Sequence, residues 1–238
     1  MENFLMTQTA TGVHIEGFPD AVKLIRLTGD KAARVADLAL HRHDLNFADE
    51  CLIELSKYEE APTVQQALWH AAIISYIKCF GGGVRMALDA ESIYGSNALA
   101  MESYRYFREL RNKHIAHDVN AYAQCAPGAV INKEGHQHKV AKILCTSTFA
   151  ETIQQGSFDN LRNLIADARK AVETEFDSLC AELTTALEAK PHAELLASDS
   201  VTCGVPTLQE LFRQRKAAAV SQSGRNTRKN KRRAPHPS

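Results

Sequence analysis

The sequence predicts an all-α fold: a helical bundle that carries one small β-hairpin insertion and ends in a disordered basic tail. Apolar residues recur at intervals of three and four over most of residues 21–197, which is the period of amphipathic helices. Two β-branched runs flank a Lys-Glu-Gly turn within residues 128–148, a pattern typical of a hairpin. The final stretch, SQSGRNTRKNKRRAPHPS, has no apolar face to bury. We therefore divide the chain into a lead (1–20), a helical domain (21–197), a weak helical extension (198–220) and the tail (221–238).

The first predicted helices precede residue 61. Pro19-Asp20 opens a short helix, AVKLIRLT, which Gly29 ends. Asp30 then caps a second helix, KAARVADLALHRHDL. A third helix over about residues 47–60 either continues the second or stands alone.

The next predicted helix is the most apolar segment of the chain. Pro62 interrupts the preceding pattern, and Thr63 is a suitable N-cap for VQQALWHAAIISYIKCF. That helix is apolar nearly all round, which favours burial on several sides with Trp69 in the core. The glycines at 81–83 end it, and no GK[ST] sequence follows them, which argues against a phosphate-binding loop.

The second half of the helical domain contains the hairpin between two helices. The stretch ALAMESYRYFRELRNKHIAHD has helical spacing, so RELRNKHIAHD lies at a helix C-terminus. The hairpin follows at about 128–148. It can serve as a lid, as a dimer element or as a decoration of the fold, and the sequence does not choose among these roles. A long helix then covers about residues 158–190 and is ended by Pro191, and TLQELFRQRKAAAV forms a weaker one.

The zero net charge conceals an acidic body and a basic tail. Nine Lys or Arg and no acid follow residue 211, which leaves 19 basic and 28 acidic residues in the first 210, a net charge of −9. Such a tail binds RNA phosphates, docks on a partner or keeps the chain soluble, and these roles stay open. The candidate nucleic-acid-binding residues are Arg225, Arg228, Lys229, Lys231, Arg232 and Arg233.

Cysteine usage and the absence of targeting signals indicate a cytoplasmic protein. The six cysteines have no metal-ligand spacing, the N-terminus lacks the pattern of a signal peptide, and no stretch has the length of a transmembrane helix. We therefore expect buried thiols, no disulfides, no metal, no cofactor and no membrane contact. His136 and His138 lie two apart, as on one face of a strand, but the sequence places no further ligands, so exposed hairpin histidines are favoured over a metal site. His41 and His43 do not share a helix face.

Residues 108–118 combine cations and imidazoles in a pattern suited to a phosphodiester. At 100° per residue, Arg111, His114 and His117 line one arc of about 120°, with Asn112 on the other flank of the arginine. A guanidinium holds anionic oxygens, and an imidazole takes a proton near neutral pH. RNA brings its own nucleophile, the 2′-hydroxyl, so no metal is required. The alternative is structural, because histidine and arginine near a helix C-terminus also interact favourably with its free carbonyls.

The same residues resemble a known motif. RNKHIAH, with SYRYFREL before it, resembles the R-x(4–6)-H motif of the HEPN superfamily over about residues 30–190, most closely the abortive-infection and toxin–antitoxin members. The resemblance implies a helical bundle that dimerises so that two motifs face one cleft. It implies catalytic roles for Arg111, Asn112 and His117. Arg108 and His114 have the same spacing as Arg111 and His117, but Glu109 follows Arg108 where Asn112 follows Arg111. We assign this second pair a supporting role.

Three functions follow as expectations. The first is a homodimeric, metal-independent endoribonuclease of the toxin or phage-defence type that leaves 2′,3′-cyclic phosphate ends, with RNA and an antitoxin or neighbouring defence protein as partners. The second is a non-catalytic HEPN module that binds RNA or a nucleotide. The third is a helical scaffold that needs neither Arg111 nor His117.

Overall fold

Helices form most of the protein, and two separate two-stranded antiparallel sheets accompany them. The structure is a computed structural model that describes residues 6–9, 12–58, 60–117, 122–202 and 207–212. The strands are β1 (Met6–Thr9), β2 (Gly12–Ile15), β3 (Ala123–Ile131) and β4 (Val140–Phe149). The helices are α1 (Asp30–Leu55), α2 (Pro62–Lys78), α3 (Ala90–Tyr94), α4 (Ala98–Leu110), α5 (Gln155–Glu188), α6 (His192–Ala197) and α7 (Leu208–Leu211), with a π-turn at Arg111–Ile115.

The core lies where α1, α2 and α5 pack together. The second and third predicted helices are one continuous helix, α1, whose Leu38, Leu45 and Leu52 are almost fully buried. Their spacing of seven keeps them on one face of the helix. The helix α5 extends for 34 residues, about 50 Å, but its fully buried residues end at Val172, so its second half is more exposed.

The apolar helix predicted at 64–80 is α2, and Trp69 is fully buried in it as expected. Its indole N–H donates to Thr152 Oγ1 at 3.1 Å, and its ring meets Phe107 of α4 edge-on at 5.9 Å between centroids. Tyr76 donates to Tyr94 Oη at 2.9 Å within the same core. Two apolar side chains of α2, Val64 and Ile74, remain 40% exposed.

The short helix predicted over residues 21–28 is wrong. The segment is extended there, and Ile25 forms a β-bridge with Ser200. Arg26 N donates to Asp199 O at 2.7 Å, and Val201 N donates to Leu24 O at 2.9 Å. A pairing partner more than 170 residues away therefore outweighs the local helical pattern. The hairpin β1–β2 in the predicted lead was not expected either.

The segment that follows the glycines is held on α1 by polar contacts, most of them partly buried. Met86 O accepts hydrogen bonds from Arg34 Nη1 at 2.7 Å and from His41 Nε2 at 2.9 Å. Arg85 Nη1 contacts Asp44 Oδ2 at 2.6 Å, and Asp44 Oδ1 accepts from Lys78 at 2.9 Å. The pKa of Asp44 is lowered; its burial alone would raise it, but the hydrogen bonds from the two cations outweigh that effect.

Buried His41 should make the stability of the protein depend on pH. Its pKa lies below 6.5, mainly because burial disfavours the charged ring and also because Arg85 and Arg34 repel it, although the Met86 carbonyl and Asp37 oppose this. Its Nδ1 is enclosed without a hydrogen-bond partner among the described residues. The unfolded chain therefore binds more protons than the folded chain just below pH 6.5. The corresponding stability is present above that pH and is lost as the pH falls.

We expect urea unfolding at pH 7, 6 and 5 to show a free energy of unfolding that decreases toward low pH. One proton corresponds to a slope of at most about 1.4 kcal/mol per pH unit. His41→Gln retains an N–H donor but does not titrate, so its slope should be smaller. His43→Gln, at an exposed position of the same helix, is the control and should keep the slope of the wild type. Equal slopes for all three proteins would contradict the assignment.

Candidate active site

The motif lies at the end of α4, as the sequence predicts, but in a π-turn. Asn97 caps the start of α4 through its side chain, which accepts from Leu99 N at 3.1 Å and Ala100 N at 3.2 Å. Four buried side chains then fix the helix: Met101, Tyr104, Phe107 and Leu110. From Arg111 the helix widens, and Ala116 N donates to Arg111 O at 2.9 Å. Such turns occur often at functional sites.

The π-turn overturns the predicted arc. An arc of Arg111, His114 and His117 assumes regular α-helical rotation up to residue 117, but each π-turn residue rotates by less than 100°. The turn ends at Ile115, and His117 lies beyond it in an irregular segment. The three side chains therefore do not form one stripe of a regular helix.

Arg111 is half-buried, and its orientation is set by its neighbour. Its Nη1 donates to Asn112 Oδ1 at 3.0 Å. The amide oxygen occupies one guanidinium donor, and an arginine has five. The remaining donors can bind a phosphate oxygen in the forked geometry that suits arginine. Asn112 thus acts on the site by positioning Arg111.

His117 is exposed at the other end of the turn. Within the part of the chain that the structure describes, no hydrogen bond orients its imidazole. The ring is accessible to a ligand in solvent. The turn therefore presents a partly fixed cation at its start and an exposed imidazole just past its end.

His114 faces the body of the protein. Its ring meets His70 of α2 edge-on at 6.4 Å and Tyr122 at 5.6 Å between centroids. Its Nδ1 is enclosed without a hydrogen-bond partner among the described residues. Burial, and then the neighbouring His114, lower the pKa of His70. His114 therefore links the π-turn to α2 and to the start of the hairpin.

His70 and Tyr122, which contact His114, were not predicted from the sequence. The one available signal was the histidine in LWHAAII, a polar residue within the most apolar helix of the chain. Tyr122 carried no signal, because its contact with His114 depends on the path of the chain after the turn.

The predicted supporting pair does not come together, because Arg108 is exposed to solvent whereas His114 packs against His70 and Tyr122. Arg108 Nη2 lies 3.9 Å from Glu109 Oε1, and Lys113 Nζ contacts the same carboxylate at 2.8 Å. The hydrogen bond from Lys113 lowers the pKa of Glu109. All three groups are solvent-exposed, so these contacts contribute little to stability. Arg108 remains a surface cation beside the motif.

A broad cleft of about 1090 Å³ lies away from the motif. It is bordered by α3, the start of α4 and α5, and no residue of the π-turn lines it. Since α4 has 13 residues, its two ends are about 20 Å apart. Acidic groups outnumber basic ones along this cleft: Asp89, Asp167, Glu175 and Glu182 against Arg34 and Lys170. A polyanion is therefore not favoured there.

The remaining candidate residues fall in the hairpin and the tail. His136 and His138 lie in the loop between β3 and β4 and are both exposed, as expected of hairpin histidines. His136 Nδ1 lies 3.0 Å from Asn132 Nδ2. No group of three potential metal ligands occurs in the described ranges. The six tail residues, Arg225, Arg228, Lys229, Lys231, Arg232 and Arg233, lie outside the described residues.

The sequence predicts buried thiols, and the described cysteines agree with this only in part. Cys51 and Cys79 are buried as expected, whereas Cys125 and Cys145 are exposed on the hairpin. Burial raises the pKa of the Cys79 thiol to about 12, which keeps it protonated. None of the helices within the described ranges is both long and apolar enough to cross a membrane.

Comparisons of the chain with protein-family models, with curated proteins and with solved structures found no match. Function is therefore inferred from the residues and their geometry.

Proposed function

We propose that the protein is a metal-independent endoribonuclease of the HEPN type, which acts as a homodimer in toxin or phage-defence systems. One observation carries this proposal. Arg111, which donates a hydrogen bond to Asn112 at 3.0 Å, begins a π-turn at the end of a firmly anchored helix, and the exposed His117 lies just past the end of that turn. A fixed cation and an accessible imidazole are the two groups that cleavage of RNA by its own 2′-hydroxyl requires.

The reaction divides between the two residues. Arg111 binds the nonbridging phosphate oxygens and stabilises the charge that develops on them. His117 accepts the proton of the 2′-hydroxyl as its oxygen bonds to phosphorus. The bond to the 5′-oxygen breaks, and the partner's His117 donates a proton to that leaving group. The products are a 2′,3′-cyclic phosphate and a 5′-hydroxyl, so atoms and charges balance without a metal.

The second candidate is a module that binds RNA or a nucleotide without cleaving it. It is favoured by one feature of His117, whose imidazole has no orienting hydrogen bond in the described part of the chain. A general base is usually held in place by a partner. In this alternative, Arg111 would still hold a phosphate, and His117 would only add to the binding surface.

Product chemistry distinguishes the two candidates. We expect purified protein in EDTA to cleave labelled single-stranded RNA and to leave cyclic phosphate and 5′-hydroxyl ends. An RNA with a single 2′-deoxynucleotide at the cleaved position should bind equally well and remain intact there, because the nucleophile is missing. Cleavage of the deoxy substrate, or activity that appears only with added divalent metal, would exclude this mechanism. Binding of both RNAs without any product would favour the binding module.

A further inference from the structure

The β3–β4 hairpin is an arm that is exposed on both of its faces. Every residue of the two strands except Ala123 is exposed to solvent, and none of them belongs to the hydrophobic core of the described chain. An antiparallel sheet ordinarily packs one face on a core, and an isolated two-stranded hairpin is only marginally stable in water. We call residues 123–149 the arm. Its side chains are free to contact a ligand in solvent along its whole length.

The arm is a cationic element of an otherwise acidic body. It carries Lys133, Lys139 and Lys142 against one acid, Glu134, so its net charge is +2 with neutral histidines. The first 210 residues, which include the arm, have a net charge of −9. All three lysines are exposed, and both strands are free of acidic residues. The arm therefore attracts a polyanion that the net charge of the remaining body repels.

Hydrogen bonds within the loop give the tip of the arm a defined backbone shape. Asn132 N donates to Lys139 O at 2.9 Å, and Asn132 Nδ2 donates to His138 O at 2.8 Å. His136 N donates to Lys133 O at 3.2 Å. These contacts fix the backbone that carries two of the lysines before any ligand binds, which lowers the entropic cost of binding.

An exposed aromatic ring lies where the arm joins the candidate site. Phe149 is 73% exposed and pairs with Ala123 at the base of the arm. The next residue closes the base, because Ala150 N donates to Tyr122 O at 2.7 Å. The Tyr122 ring in turn meets His114 of the π-turn at 5.6 Å between centroids. Phe149 thus offers a surface on which an unstacked nucleobase can stack, one residue from the contact between hairpin and motif.

We propose that the arm binds the single-stranded RNA that the motif cleaves, with Phe149 stacking on a base near the motif and the lysines contacting phosphates farther along the strand. This assignment rests on the proposed function. A single strand presents both accessible phosphates and unstacked bases, and the arm carries the groups that match each of them. A duplex keeps its bases stacked inside, so it matches the lysines alone. The nine residues of β3 extend for about 30 Å, so the RNA must continue for several nucleotides past the cleaved bond to reach the tip.

The salt dependence of binding tests the lysines. The probe is a 2′-O-methyl oligonucleotide of about 12 nucleotides, within the size of single-strand sites, which keeps bases and phosphates but lacks the nucleophile. Three phosphate contacts contribute about −2 to the slope of log K against log salt concentration. Replacing the three lysines of the arm by glutamine should therefore make the slope shallower by about 2. A trinucleotide, too short to reach the tip, should bind this variant and the wild type equally.

A matched control removes the same number of charges from exposed lysines outside the arm, each of which is paired with a carboxylate. It carries Lys31→Gln, Lys57→Gln and Lys190→Gln and should keep the slope of the wild type. Phe149→Ala should weaken binding of the single strand about 5–150-fold and leave the weaker binding of a duplex unchanged. Phe18→Ala, at a position that is 60% exposed outside the arm, should bind like the wild type. Circular dichroism should show all variants folded.

Equal salt slopes for the arm variant and its control would overturn the proposal, as would full affinity of Phe149→Ala or a duplex that binds as tightly as the single strand. The probe cannot be cleaved, so these measurements separate the arm from the reaction. Binding that depends on the arm, without cleavage of ordinary RNA, would exclude the proposed endoribonuclease and retain the arm. Cleavage by a protein whose arm variants bind RNA normally would retain the endoribonuclease and exclude the arm.

Discussion

Replacing either Arg111 or His117 by alanine is expected to lower the rate of RNA cleavage in EDTA about 10²–10⁴-fold. Each residue performs a different task in the same step, since Arg111 stabilises charge on the phosphate and His117 transfers the proton. Neither side chain is part of the buried core, so thermal unfolding should be unchanged. The decisive measurement is single-turnover cleavage at saturating protein, which separates the chemical step from binding.

Each of these variants has a matched control. Arg105→Ala removes an exposed arginine from α4 six residues before the motif, and His43→Ala removes an exposed histidine from α1. Both controls should cleave RNA at the rate of the wild type. Asn112→Ala should lose less than Arg111→Ala, because it frees the guanidinium without removing it. Undiminished cleavage by His117→Ala would show that another group transfers the proton, and a wild type that needs divalent metal would exclude the mechanism.

Replacing Trp69 by alanine should have the largest effect on stability, about 3–5 kcal/mol. The indole is fully buried between α2 and α4, and its removal leaves a cavity. It also leaves Thr152 without its hydrogen-bond donor in a buried position. Because Trp69 is the only tryptophan, urea unfolding must be followed by circular dichroism and not by tryptophan fluorescence. A loss of this size is a large part of the 5–15 kcal/mol of an ordinary domain.

Leu99→Ala is the control for this prediction. Leu99 lies near the start of α4 and is 75% exposed, so its truncation should change the free energy of unfolding by no more than about 0.5 kcal/mol. Trp69→Phe should cost less than Trp69→Ala, because much of the volume and the edge-on contact are retained. If Trp69→Ala were as stable as Leu99→Ala, the packing of α2 on α4 described above would be wrong.

The sequence alone determined the elements whose cause is local. The spacing of three and four in α2, α4 and α5 depends on residues within each helix, and so does the placement of RELRNKHIAHD at a helix end. The hairpin was found from two β-branched runs and a turn, although its strands begin at Ala123 and end at Phe149, beyond the predicted limits. The burial of Trp69 could be predicted because its helix is apolar nearly all round.

The tertiary structure decided the features that depend on distant residues or on departures from regular geometry. The extended segment at Leu24–Arg26 exists because backbone groups near Val201 pair with it. The π-turn cannot be read from a pattern that assumes 100° per residue, and it separates His114 from His117. His114 meets His70 because α2 packs beside the turn. The β-branched runs located the hairpin between its flanking helices, but only the three-dimensional arrangement shows that Ile131, Ile143 and Phe149 of its strands remain exposed among the described residues.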